Sequence, residues 1–186
     1  MRIPRGRKSL APILLAASLL LTACVATPPS PDARLGLMLA PAALGASVSV
    51  QQHLKVEREG RIDELDTALE IEASQLELVG LVFGQRVLSL SYDGKQLKSW
   101  RHLMLPPQVR AEDVLEDLQL SLWPLSAIAQ ALPAGWRIEE QGLQRALYLD
   151  DNLITRITYS GMPRWSGTVV LDNLRYHYRL TIQSAP

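Results

Sequence analysis

The chain has 186 residues, 19 basic and 19 acidic, and so no formal net charge. Beyond residue 23 it has no basic cluster and is a poor match to nucleic acid, and its single cysteine leaves no intrachain disulfide to form. The length suffices for one domain with a real core.

Arg2, Arg5, Arg7 and Lys8 open the chain with positive charge, and Leu10 to Leu21 follow as a 12-residue apolar run. Such a run is too short for a bilayer, which needs roughly 20 residues, and it fits the apolar region of a secretory signal. Leu21-Thr22-Ala23-Cys24 matches the bacterial lipobox. The pattern predicts a lipoprotein signal peptide over residues 1–23, cleavage between Ala23 and Cys24, and a lipid on the Cys24 thiol. The alternative is an ordinary secreted protein with a stray cysteine. Val25, where an Asp would favour inner-membrane retention, points to the outer membrane, lipid-anchored and facing the periplasm. Losing residues 1–23 leaves a net charge of −4. Residues 24–45, rich in Ala and Pro, read as a lipidated flexible tether, and 46–186 as the domain.

From Ser47 the pattern has period two. Val48, Val50, Leu54 and Val56 share a face, as do Leu65, Thr67, Leu69 and Ile71 after a turn at Glu59-Gly60. This alternation predicts antiparallel strands with one wet face. Gly84 and Asp93-Gly94 punctuate strands over Leu76–Phe83, Arg86–Tyr92 and Lys95–Leu103. The first of these is apolar on both faces, with Leu78 and Val82 on one and Val79, Leu81 and Phe83 on the other, so both faces call for cover.

After Pro106-Pro107, Ala111–Leu122 reads as a helix with Val114, Leu115, Leu118 and Leu122 on one side. Glu112, Asp113, Glu116 and Asp117 read as a solvated face in its first turns; as a calcium site they lack the alternating loop. A second helix, Leu125–Leu132, stops before Pro133. Strands follow at Trp136–Glu140, Arg145–Leu149, Leu153–Tyr159, Thr168–Leu171 and Leu174–Ile182. The count is about ten strands with a helical interruption.

Enzyme chemistry finds no foothold. His53, His102 and His177 lack metal-ligand spacing, no serine sits in a nucleophile elbow, and no glycine-rich phosphate loop occurs. The expectation is no enzyme activity, no catalytic residue, no metal and no cofactor.

Leu81-Val82-Phe83-Gly84-Gln85-Arg86, Tyr92-Asp93-Gly94, and Asp117-Leu118-Gln119-Leu120 through Trp123-Pro124-Leu125 resemble the DUF3261 family of small bacterial lipoproteins. The order of elements is also similar to the LolA/LolB family: hairpin, helix, a Pro-Leu second helix, a Leu132-Pro133 stop and an Ile157-Thr158-Tyr159-Ser160 strand. The likeness runs from about Gln51 to Ile182. It implies a mainly β (α+β) fold, a curved antiparallel half-barrel with helices in its concavity. It also implies an apolar ligand between sheet and helices: an acyl chain, a lipidated product or a lipoprotein, passed toward the outer membrane. On that implication the groove would be lined by Leu78, Val82, Leu88, Leu90, Tyr92, Leu115, Leu118, Leu122, Trp123, Leu125 and Ile128. Implied partners are the membrane through the N-terminal lipid, and a periplasmic LolA-like carrier or an inner-membrane exporter. Relatives encoded beside aryl polyene biosynthesis genes add a link to aryl polyene lipid export. The LolB-type exposed apolar loop residue has no counterpart in Glu57 to Glu64, which is charged apart from Ile62. The alternative function is a non-catalytic assembly module of an envelope complex, with the groove filled by its own helices.

Overall fold

The computed structural model describes Met1 and residues 34–185. Ten strands form one antiparallel sheet: β1 (Val48–Arg58), β2 (Arg61–Glu72), β3 (Gln75–Val82), β4 (Gln85–Tyr92), β5 (Leu97–Arg101), β6 (Trp136–Gln141), β7 (Gln144–Leu149), β8 (Asn152–Tyr159), β9 (Thr168–Asn173) and β10 (Tyr178–Ser184). Two helices, α1 (Ala111–Leu122) and α2 (Leu125–Ala131), join β5 to β6. The order across the sheet is β5-β4-β3-β2-β1-β10-β9-β8-β7-β6, so the helices connect its two edges and the sheet does not close. The fold is mostly β and consistent with a curved half-barrel. Among the described residues no helix is long and apolar enough to cross a membrane.

The period-two pattern sets the faces. Leu69 pairs with Leu78, and Leu78 with Leu90, so one face accumulates apolar side chains from strand to strand. The opposite face carries His53, Asp66, Glu70 and Glu77. Tight hairpins fix the register: Glu59-Gly60 and Phe83-Gly84 hold positive φ at both central positions, as a turn matched to the strand twist requires. Register shifts at Gly80/Leu81 and Leu147/Tyr148 bend the strands locally.

Helix α1 runs over the bounds its periodicity predicts. Trp123, at ψ 151°, is extended because Pro124 follows. Its last-turn carbonyls find partners on the sheet: Tyr159 Oη donates to the Ser121 carbonyl at 2.8 Å, and Arg145 donates to that of Leu120. Arg145 is fully buried and tied to Glu140, which Arg164 also reaches. These two carbonyl contacts seat the C-terminal end of α1 on β7 and β8.

Four expectations need correction. Residues 34–45, expected as tether, are packed: Leu37 and Leu44 join the core, and Pro41–Leu44 forms a 3-10 turn. The Trp123 indole and the Tyr92 hydroxyl donate to the carbonyls of Ala40 and Met38, which holds this segment in place. The final strand begins at Tyr178 rather than Leu174, because the Asn173 carboxamide accepts from the Tyr176 N–H and His177 takes φ 53°. The strand read as Lys95–Leu103 is shorter, since Asp93 Oδ1 accepts from the N–H groups of Lys95 and Gln96 and keeps them in the turn. Phe83, expected on a covered strand face, sits in the β3–β4 turn at φ 51° and is 98% exposed.

Candidate functional site

A cavity of about 320 Å³ lies between α1 and the inner face of β1, β2 and β10. That is the lower end of the roughly 300–1,000 Å³ typical of ligand pockets. It is about twice the ~150 Å³ cavity that stays dry and binds benzene in an engineered protein.

Helix α1 and its N-cap present Arg110, Asp113, Val114, Asp117 and Leu118 to it. Their spacing of three, four, seven and eight places them on one helical face. From the sheet, Leu54, Val56, Leu65, Leu78, Leu88, Leu180 and Ile182 supply an apolar wall. The rim is charged, with Arg58, Glu59, Arg61 and Asp63 at the β1–β2 hairpin. Leu105, Pro106, Gln108 and Val109, ahead of α1, also line it.

Arg34, Gln52, Thr67, Asp113, Asp117 and Tyr178 interrupt the apolar wall. Asp117 is only 9% exposed, and Tyr178 Oη donates to its Oδ2 at 2.6 Å. The Tyr178 oxygen in turn accepts from Asn173 Nδ2 and, at 3.4 Å, from Arg34 Nη1. Arg34 also pairs with Asp113 at 3.3 Å and lies over the Tyr176 ring. Burial pushes the Asp117 carboxyl up to about 7, against the opposing pull of Tyr178 and Arg34. Burial also raises Asp113, against Arg34 and Arg110, and Glu116, against the Gly36 N–H. Tyr178 is raised by burial and then by the Asp117 charge. Burial disfavours the Arg34 cation, yet Tyr178, Asp117 and Asp113 together hold its pKa above the ordinary value.

The acidic side chains of α1 therefore do not form the solvated face expected of them. Glu112 stays exposed, whereas Glu116 and Asp117 are buried beneath residues 34–39 and beside Tyr178. Among the described residues no cluster of His, Cys, Asp and Glu could hold a metal ion.

Of the residues expected to line a groove, Leu78, Leu88 and Leu118 meet at the cavity. Leu90, Tyr92, Leu115, Leu122, Trp123 and Ile128 do not line it and instead pack into the core. Helix α1 is covered on several sides at once, so most of its apolar residues meet protein. Val82 and Leu125 are half-buried and away from the cavity. Ala23 and Cys24 lie outside the described residues. The reading of the sequence missed Leu54, Val56, Leu65, Leu180 and Ile182. Their alternation was visible, but not that β10 returns beside β1 and so brings them together.

Exposed apolar side chains mark the same end of the sheet as the charged rim. Antiparallel pairing places the β1–β2 and β3–β4 turns and the segment after β5 together at that end. Phe83, Leu103 and Met104 project there, 98%, 94% and 59% exposed.

The family model of a protein of unknown function, DUF3261, matches residues 49–186. No curated protein matches the chain.

Proposed function

The chain belongs to the DUF3261 family of proteins of unknown function, and we propose that it binds an apolar ligand in the cavity beneath α1. The ligand class is an acyl chain, a lipidated product or the lipid of a lipoprotein. The observation that carries this reading is the cavity itself: about 320 Å³, open at its charged rim, with an apolar wall from β1, β2, β3, β4 and β10 beneath α1. A chain entering it leaves water, worth about 0.8 kcal/mol for each methylene buried. No catalytic step enters this account.

A LolA/LolB-like half-barrel, with helices held in its concavity, is the architecture this function calls for. Open sheet edges and helices on one face are compatible with it. Attachment through Cys24 to the outer membrane would keep the cavity near the surface its ligand is bound for. A periplasmic carrier or an inner-membrane exporter would supply the ligand, with aryl polyene lipids as one candidate. The exposed Phe83 and Leu103 offer apolar contact to the receiving lipid surface. Mass spectrometry of lipids retained by protein purified without detergent tests this reading. A stoichiometric acyl-bearing species supports it, and lipid-free protein that also refuses added apolar probes refutes it.

A further inference from the structure

We infer that the ligand of this cavity carries a neutral hydrogen-bond donor, a hydroxyl or an amide N–H, that Asp117 accepts. The inference deepens the apolar-ligand reading and rests on it.

Three buried side-chain atoms have no partner among the described residues: Asp117 Oδ1, Ser121 Oγ and Arg164 Nε. Only Asp117 lines the cavity. A buried acceptor left unpaired is costly, so its retention beside a void asks for a reason.

The surrounding bonds set the polarity of the missing partner. The Asn173 Oδ1 accepts from the Tyr176 N–H, so its Nδ2 faces Tyr178 as a donor. Arg34, which can only donate, reaches the same Tyr178 oxygen. With its oxygen accepting from both, Tyr178 has one proton, and it goes to Asp117 Oδ2. Asp117 thus stands at the accepting end of a one-way chain, and in its charged form its other oxygen also calls for a donor. Oδ1 is closed off from solvent, and because the terminal carboxylate torsion is soft, a ligand donor in the cavity would be met by rotation of the Asp117 carboxylate. Arg34, Arg58, Arg61 and Arg110 balance Glu59, Asp63, Asp113 and Asp117 around the cavity, so its lining offers no excess negative charge to a cation. A neutral donor on an otherwise apolar chain meets both demands.

The test uses the full-length chain and displacement of a bound apolar fluorophore by 1-dodecanol or dodecyl methyl ether. The ether is the more apolar, so hydrophobicity alone favours it. At pH 8, where Asp117 is mostly charged, the wild type should prefer the alcohol by about tenfold, as expected for a hydrogen bond to a charged acceptor. Asp117→Leu should abolish that preference while still binding the ether. Should Asp117→Leu fail to fold, Asp117→Asn serves instead. Its single carbonyl oxygen is taken by Tyr178, its N–H₂ faces the cavity, and the alcohol preference is lost. Equal or ether-favouring displacement from the wild type overturns the inference and leaves the apolar-ligand reading standing, as does a preference that survives in either variant. Displacement by neither compound, or no fluorophore binding, overturns both.

Discussion

The backbone N–H of Gly36 donates to Glu116 Oε2 at 2.6 Å across 80 residues of sequence. One turn further along α1, Gln119 makes a reciprocal pair with Leu39: it accepts from the N–H at 2.9 Å and donates to the C=O at 2.8 Å. A strap of residues 34–40 is thus stitched to α1 by side chains that a helix surface would ordinarily give to water.

Breaking the stitch should be expensive. Gln119→Leu leaves the Leu39 N–H and C=O without their partner, at about 1–3 kcal/mol for each group that stays buried. Urea unfolding of the chain from residue 34 measures this. A chain beginning at residue 46 should be less stable still, because it also loses Leu37 and Leu44 from the core. Equal midpoints for all three would mean that the strap contributes nothing.

The buried carboxyl predicts an unusual pH profile. Asp117 is pushed up from 3.8 to about 7, so the folded state holds its proton more tightly than the unfolded chain. Its contribution is fully present below about 4 and is lost as pH rises through about 7. Asp113 and Glu116, also raised, act in the same direction, while Glu140, lowered by Arg145 and Arg164 despite burial, opposes them at acid pH. Thermal unfolding should show stability declining between pH 5 and 8, more steeply in the wild type than in Asp117→Asn. Parallel profiles would show that Asp117 does not titrate abnormally. Binding should follow the same group: the preference for 1-dodecanol over dodecyl methyl ether should be larger at pH 8 than at pH 6.

Two leucines three residues apart on α1 separate wall from core. Leu115 is fully buried away from the cavity, whereas Leu118 lines it. Leu115→Ala should cost about 2–5 kcal/mol, because a new void opens in packed surroundings. Leu118→Ala enlarges a space already present and should cost less. Leu122 packs in the core, so Leu122→Asp should unfold the domain rather than act on binding alone. Similar losses at Leu115 and Leu118 would show that the cavity collapses around its wall.

Phe83 holds a left-handed conformation in which a bulky side chain is strained, yet it makes no packing in return. Phe83→Asn suits the turn better and should raise stability by about 1 kcal/mol. It should also weaken adsorption of the protein to anionic lipid vesicles, read by flotation. A more stable variant with unchanged adsorption would separate the tip from lipid contact.

Much of this architecture could be read from residue order. Alternation at Val48–Val56 and Leu65–Ile71 located two strands, Asp93-Gly94 a turn, and Pro124 the end of α1. The strap escaped because Ala, Pro and Gly between residues 34 and 45 resemble a linker, although Leu37 and Leu44 reach the core and Leu35 and Leu39 pack against it. The cavity escaped for another reason. An apolar side chain facing a void and one facing a neighbour have the same pattern in sequence, so Leu118 and Leu122 were indistinguishable. Asp117 looked like one more acid on a wet helix face, because nothing local shows Tyr178 arriving from 61 residues away.

Filling the cavity tests the central claim most directly. Leu54, half-buried on β1, points into it, and Leu54→Trp places an indole in that space without adding charge. Titration of an apolar fluorophore into the full-length wild type should saturate at one site per chain. The Leu54→Trp variant, folded by circular dichroism, should bind at least tenfold more weakly. Unsaturable wild-type binding, or equal affinity in the filled variant, would contradict a ligand held beneath α1.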